Sequence, residues 1–376
     1  MKLLIVTQKV DINDDVLGFM HGWIAEFAKN CEQVTVICLK QGQFDLPHNV
    51  KILSLGKEHI SQKSKVHQPA SLREALLAGK VKSKLKYTFN FYKYIWQEKK
   101  NYNHVWVHMN PEYILLGGLF WRLMGKKISL WYAHGQATWK LRMAEKIVNI
   151  IFTSTNSGCR IKSKKIKIIG QGIDIKNYEL RIKNYELEKN NNFKIVTVGR
   201  ISPVKDYETL IKAVELLNKA GMKLQVDIIG GAGLPEQKKY LVSLEKMVQD
   251  KELGDVVNFI GPVPNKNIVK HLQSSDLFVN MSHTGSLDKA IAEAMSCGLP
   301  ILTCNEALEE VLGNYEEMLM YNKGDYCALA DKIKFIAEMD INKKIKLGKD
   351  LREIIVKNHS LEGFIINIIS AIQRLK

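Results

Sequence analysis

The sequence lacks the features that would mark a membrane, secreted or fibrous protein. No stretch reaches the roughly 18 uncharged apolar residues that a spanning helix needs; the best run, Tyr113 to Gly125, is short and contains Arg122. The first residues, MKLLIVTQKVDINDD, turn polar after a short apolar stretch, which reads as a first β-strand and not as a secretory signal, so a cytoplasmic chain is expected. Six cysteines are scattered without a CxxC pair, which suggests neither a disulfide framework nor a zinc site. Proline is scarce, 8 residues, and with 25 glycines this excludes low-complexity and collagen-like classes.

What remains is a globular balance, 46% hydrophobic and 25% charged, over 376 residues, enough for two domains with separate cores. Charge is distributed unevenly. Residues 1–175 hold 27 Lys and Arg against 12 Asp and Glu, whereas residues 176–376 hold 28 against 27. The basic half is expected to face something anionic: a membrane surface, an acidic glycan or nucleic acid.

Strand-length apolar runs alternate with amphipathic helical stretches along the whole chain, the pattern of parallel sheets covered on both faces. The first half predicts strands near 2–7, 34–39, 50–55, 104–109, 127–133, 150–155 and 165–169, with helices near 16–30, 72–100, 112–124 and 138–149. The polar stretch 183–192, KNYELEKNNN, reads as a linker. A second cycle predicts strands near 193–199, 223–229, 256–260, 276–281 and 299–303, and helices near 207–220, 235–250, 265–274, 286–297 and 325–338. The fold class is α/β: two tandem doubly wound, Rossmann-like domains with a ligand cleft between them at the carboxyl ends of the strands. Residues 1–175 form the first domain, 190–359 the second, and the apolar helix 360–376 has the length to cross back to the first.

Three constellations in the second half carry chemistry. After a strand ending at Gly199, the loop Arg200-Ile201-Ser202-Pro203-Val204-Lys205 presents two cations suited to a diphosphate, Arg as a fork and Lys as a point charge; the plain alternative is two solvated loop charges. The stretch Gly285-Ser286-Leu287-Asp288 opens a helix on which backbone N–H groups can hold phosphate. Glu293 lies off that helix's core stripe, where it can accept both hydroxyls of a ribose or pair with Lys289. Gly230 to Gly233, and Gly261-Pro262-Val263, are loops that could wall a base or be plain turns.

These blocks, GRISPVKDYETLIKAVELL, IIGGAG, FIGPVPNKNIVKHLQSSDLFVNMS and EAMSCGLPILT, together resemble the retaining family 4 glycosyltransferases of the GT-B fold. The first half matches only in outline, through its strands, His134-Gly135 and Gly170-Gln171-Gly172-Ile173-Asp174. The resemblance implies a nucleotide-diphosphate sugar held mainly by the second domain and a glycan or polyisoprenyl-linked acceptor held by the first. Arg200 and Lys205 would hold the diphosphate and Glu293 the ribose. Gly199, Gly230, Val263 and the segment Gly285 to Asp288 would complete the donor site. His134 would reach donor sugar or acceptor, or be a buried structural histidine. The implied reaction is hexosyl transfer with retention in cell-surface polysaccharide or glycolipid synthesis, without metal or other cofactor. A sugar-nucleotide epimerase of the same architecture and a non-catalytic carbohydrate or nucleic-acid binding protein are the alternatives.

Two departures stand out. The family's Glu eight positions before the ribose Glu is here Gly285, and Asp288 could either take over a sugar hydroxyl or complement the helix dipole. The family's glycine pair after the first strand is absent; that loop carries Asp11, Asp14 and Asp15, which read as a solvated turn or acceptor contact in preference to a metal site. Finally, residues 63–100 carry ten Lys and Arg against Glu74 and Glu98, interleaved with six aromatics from Tyr87 to Trp96. This mixture suggests peripheral docking on the anionic inner face of the cell membrane. Aromatic core beneath a lysine-rich soluble face is the plain account, and single-stranded nucleic acid the less favoured one.

Overall fold

The computed structural model describes residues 1–59, 70–178 and 192–375. The predicted linker 183–192 lies outside them except for its last residue, as does 63–69 of the basic segment. In the first half, β1 (Lys2–Val10), α1 (Phe19–Asn30), β2 (Gln33–Gln41), β3 (Val50–Ser54), α2 (Ala70–Gln97), β4 (His104–His108), α3 (Pro111–Leu123), β5 (Lys127–Trp131), α4 (Trp139–Ile147), β6 (Ile150–Thr153) and β7 (Ile166–Ile168) alternate as the periodicity predicts. They form one sheet of seven parallel strands, ordered β3-β2-β1-β4-β5-β6-β7.

The second half runs β8 (Phe193–Val198), α5 (Tyr207–Lys219), β9 (Leu224–Ile229), α6 (Pro235–Asp250), β10 (Val257–Gly261), α7 (Asn265–Gln273), β11 (Leu277–Asn280), α8 (Lys289–Ser296) and β12 (Ile301–Thr303). Short helices α9 (Glu309–Leu312) and α10 (Glu316–Leu319) precede α11 (Tyr326–Glu338), α12 (Ile341–His359) and α13 (Leu361–Gln373). Its five parallel strands are ordered β10-β9-β8-β11-β12. In both sheets the middle residues of the central strands, Leu3 to Thr7 of β1 and Ile195 to Thr197 of β8, are buried, because helices cover both faces.

Besides the short helices α9 and α10, which the periodicity does not predict, two elements depart from the expectations. Helix α8 starts at Lys289, three residues later than predicted, because Gly285 takes a left-handed conformation (φ +63°) that ends in a loop and not in a first helical turn. Helix α12 is new: Asp340 caps it by accepting the N–H groups of Asn342 (2.9 Å) and Lys343 (3.3 Å).

The chain crosses between the sheets twice, side by side. Ile173 donates its N–H to the His359 carbonyl at 2.7 Å, and Leu361 donates back to Ile173 at 2.8 Å. Helix α13 then buries Phe364, Ile365, Ile368 and Ile372 in the core of the first sheet, against α1. The Phe364 ring lies 4.5 Å from Trp23 and 4.9 Å from Trp131. Trp23 donates Nε1–H to the Gly172 carbonyl at 2.7 Å, and Gly172 must be glycine: its φ is +66° and a Cβ would stand 2.8 Å from the Phe364 ring. Among the described residues, no helix is long and apolar enough to cross a membrane.

Candidate functional site

Strand order reverses at β1 in one sheet and at β8 in the other, so the loops after β1, β4, β8 and β11 converge where the two sheets meet. The loop after β8 is shaped by a tight turn, Pro203–Lys205, and by Asp206 in the left-handed region at φ +47°. Asp206 is held by Thr209 Oγ1 (2.8 Å) and by His283 Nε2 (3.2 Å). Arg200 is exposed, and Lys205 turns inward. Lys205 Nζ donates to Asp288 Oδ2 (2.8 Å) and Ser282 Oγ (3.3 Å), and Asn280 Nδ2 donates to the same Asp288 oxygen at 3.1 Å.

That pairing gives Asp288 a partner that neither reading from the sequence named. It occupies the N-cap position of α8, yet its side chain makes no capping bond and serves as the counter-ion of Lys205. Ser286 and Leu287 are buried in the loop before the helix, where the Ser286 carbonyl accepts from Asn305 Nδ2 at 2.8 Å.

Glu293, one turn into α8, is 3% exposed. Its Oε1 accepts from Asn265 Nδ2 on α7 at 3.2 Å, and Tyr178 also hydrogen-bonds it. Burial pushes its carboxyl above the usual range, opposed by the Lys289 charge and by those two bonds. Glu293 lines a cavity of about 280 Å³ between the two halves, with Gly18, Phe19 and His21 on one side and Asn265, Lys266 and Lys289 on the other. Lys289 is not spent on an ion pair within 4 Å of Glu293. Its Nζ donates to the Gly172 carbonyl at 3.1 Å and sits 4.4 Å from the Phe19 ring centroid and 5.1 Å from that of Trp23. Burial pulls this ammonium down to about 8 against the attraction of Glu293 and Asp174.

The other wall brings the halves together at Gly285. The Gly135 backbone approaches so closely that a Cβ on it would lie 2.8 Å from the Thr284 carbonyl. A Cβ on Gly285 would collide with an ion pair between Arg160 of the first half and Glu306 of the second. Beside it, Glu310 accepts the N–H of Asn156 at 2.8 Å and its Nδ2–H at 2.6 Å. His134 is exposed, which removes the buried structural reading; its backbone N–H donates to the Gly158 carbonyl at 2.7 Å and its Nδ1 accepts from Gln136 N–H at 3.2 Å. Partial burial, and then the nearby Arg200 charge, hold its pKa below the ordinary value. It borders an outward-facing pocket of about 350 Å³ with Glu112, Tyr132 and Trp139.

Two of the three aspartates after β1, Asp11 and Asp14, have local partners. Lys9 Nζ lies 3.0 Å from Asp11 and also pairs with Asp14, whose Oδ1 accepts from Val16 (2.9 Å) and Leu17 (2.6 Å). Burial opposes the ionised Asp14, but Lys9 and these N–H groups hold its pKa below the usual carboxylate range. Among the described residues no group of three His, Cys, Asp or Glu is placed to hold a metal ion. Gly230 packs on the Gly199 carbonyl, and Val263 is half-buried against the second core.

The structure therefore assembles Glu293 with a cavity, and Lys205 with Asp288, while Arg200 lies near enough to His134 for its charge to act on the imidazole. Such an arrangement offers cations to a diphosphate and a buried acceptor to a diol. Sequence reasoning missed Asn265, Tyr178 and the Arg160–Glu306 pair. Asn265 lies within the quoted block FIGPVPNKNIVKHL, but the fold alone brings Tyr178 and Arg160 from outside the second sheet.

Residues 180–355 match the family described as glycosyl transferases group 1. Amylovoran biosynthesis glycosyltransferase AmsK of Erwinia amylovora is 26% identical over 180 residues, 46% of this chain and 42% of that protein. Putative colanic acid biosynthesis glycosyltransferase WcaL of Escherichia coli is 23% identical over 211 residues, 54% of this chain and 49% of that protein. The chain thus spans about half the length of these curated relatives. Over the whole chain the fold resembles HepE of Anabaena in complex with UDP-glucose (TM-score 0.76, 16% identity, 100% of both chains). It also resembles sucrose-phosphate synthase of Thermosynechococcus elongatus (TM-score 0.75, 17% identity, 100% of this chain and 99% of that one). The architecture is that of the GT-B glycosyltransferases, two Rossmann-like sheets with flanking helices.

Proposed function

We propose that the chain is a glycosyltransferase that moves a hexosyl group from a nucleotide-diphosphate sugar to a glycan or lipid-linked acceptor, with retention of anomeric configuration. The observation that carries this reading is that one helix, α8, joins two groups inside the segment that matches the group 1 family: Asp288 at its start holds Lys205, and Glu293 one turn on lines the cavity between the halves. Glu293 accepts the ribose hydroxyls, and Lys205 exchanges Asp288 for a diphosphate oxygen while Arg200 closes over it. As the bond between the sugar's anomeric carbon and the diphosphate breaks, its electron pair passes to the diphosphate, where the two cations stabilise it. The acceptor oxygen bonds to that carbon from the same face and gives its proton to a departing phosphate oxygen. Here His134, beside the acceptor-side pocket, orients the incoming hydroxyl.

The names of AmsK and WcaL support a place in exopolysaccharide synthesis. The acceptor would then be presented at the inner face of the cell membrane, with the basic segment 63–100 against anionic lipid. A thermal-shift screen with UDP, GDP and ADP tests the donor site, since a bound ligand raises stability by mass action. Incubation with nucleotide sugars, with and without a polyisoprenyl-linked acceptor, tests the reaction. Acceptor-dependent transfer that survives EDTA is expected; donor turnover without acceptor would identify an epimerase, and a strict need for manganese or magnesium would overturn the metal-free reading.

A further inference from the structure

The first half leaves an apolar face uncovered on α2, α3 and α4, away from both cores. Leu119 and Leu123 on α3 are 65% and 78% exposed, and Phe89 and Trp96 on α2 are 69% and 61% exposed. Between the two helices runs an open groove of about 420 Å³ walled by Phe89, Tyr92, Ile95, Trp96, Phe120 and Met124. Tyr92 fixes its floor by donating its hydroxyl to the Leu116 carbonyl at 3.0 Å, with its ring 5.1 Å from Phe120. A monomeric soluble surface rarely leaves so many large apolar side chains together.

The charges around this face have one sign. Lys84, Lys86, Lys93 and Lys100 are exposed on and just beyond α2, and Arg122, Arg142 and Lys146 are exposed on α3 and α4. The carboxylates nearby are turned to cations: Glu98 to Lys51 (2.7 Å), Glu112 to Lys140 (2.7 Å) and Glu145 to Lys165 (3.7 Å). A row of exposed leucines and aromatic rings fringed by unneutralised lysines matches the interfacial layer of an anionic bilayer, acyl chains inward and phosphates at the rim. Helix α3 also links this face to the site. Its first residues, Pro111 and Glu112, border the pocket that holds His134, and its exposed row continues through Leu116 and Leu119 to Leu123, next in sequence to the groove residue Met124.

We propose that the α2–α3–α4 face inserts into the surface of an anionic phospholipid bilayer, with a lipid acyl chain in the α2–α3 groove. The pocket beside His134 is thereby held at the membrane surface. Only this last consequence rests on the glycosyltransferase reading; the docking surface stands by itself. It differs from purely electrostatic docking by the basic segment, because apolar contact is not screened by salt.

Tryptophan fluorescence of the whole chain on vesicles tests it. Trp96 and Trp139 are 61% and 67% exposed, whereas Trp23, Trp106, Trp121 and Trp131 are at most 2% exposed, so only the first two can meet lipid. With vesicles of phosphatidylcholine and phosphatidylglycerol, emission should shift to the blue, and acyl chains brominated near the headgroup should quench it. Part of the bound protein should remain bound at high salt. The double variant Leu119→Ser, Leu123→Ser should lose roughly tenfold or more in partition together with its quenching. It should keep the wild-type thermal response to UDP. Lys84→Glu with Lys86→Glu and Lys93→Glu should instead abolish the salt-sensitive part. Unquenched wild-type emission, or unchanged partition of the leucine variant, would overturn the proposal, as would displacement from vesicles by single-stranded nucleic acid. If nucleotides fail to shift the wild type while quenching persists, the donor-site reading fails and the docking surface remains.

Discussion

The two halves of this chain share one plan and use their surfaces in opposite ways. Each is a parallel sheet with its order reversed at its first strand in sequence, β1 or β8. In the second half the loops at that reversal hold charged side chains in fixed pairs, Lys205 with Asp288 and Asp206 with His283. In the first half the corresponding loop spends Asp11 and Asp14 on Lys9, and the exposed chemistry lies on the helices, as basic and apolar side chains. A doubly wound sheet covered on both faces leaves its loops and outer helix faces free to vary. One domain has invested the loops, the other the helices.

The comparison breaks first at α13, which belongs to the second half in sequence and to the first in packing. Phe364→Ala should lower stability by about 3–5 kcal/mol through lost burial and a cavity against Trp23 and Trp131. Chemical denaturation should locate that loss in the first half, with any nucleotide-stabilised transition of the second half unmoved. A loss confined to the second half would mean that α13 does not complete the first core.

Next come the site residues. Lys205→Ala and Glu293→Gln should each weaken nucleotide binding by about 1.5–3 kcal/mol, one charged hydrogen bond, while the fold persists. Titration calorimetry reads this directly, and unchanged affinity in both variants would remove the donor site from the second half.

Acid should distinguish the halves more gently. His108 at the end of β4 is buried beside Trp106, and burial, with a further push from Lys289, lowers it from 6.5 to about 3. Between those values the unfolded chain binds a proton that the folded chain refuses, so stability is present above pH 6.5 and is lost as pH falls toward 3. The cost is about 1.4 kcal/mol by pH 5.5. Replacing His108 with Leu should flatten this slope in the first half, visible in thermal unfolding between pH 7 and 5. An identical slope in the variant would show that other groups carry it.

The smallest effect belongs to the contact that ties the halves at Gly285. Arg160 and Glu306 are 46% and 40% exposed in their side chains, so Arg160→Ala should cost at most about 1 kcal/mol of stability. A larger loss by thermal unfolding would make that pair a main fastening between the domains.

The alternation of strands and helices was readable because it depends on local periodicity: all twelve strands among the described residues fall where apolar runs predict them. Glu293 was legible too, since a carboxylate off the apolar stripe of α8 has to face something other than the core. Asp288 was not, because its partner Lys205 is 83 residues away in sequence. Nor was Lys289, whose cavity is built from Phe19 and Trp23 of the other half. The side chains of Lys80 and Lys82, counted in the basic segment, lie outside the described residues; the leucines of the apolar run Tyr113 to Gly125 lie at the surface because α3 turns Ile114 and Trp121 inward and leaves Leu119 and Leu123 without a covering element among the described residues.

By itself the sequence determined the class of fold, the imbalance of charge and the residue types available at the second sheet's loops, because each follows from near neighbours in the chain. Which cation meets which carboxylate, which sheet receives α13, and which face of α3 stays bare were decided only by the tertiary structure. Those outcomes depend on which distant segments come within a few ångströms, and burial assigns a buried or paired group its charge state only after they have met.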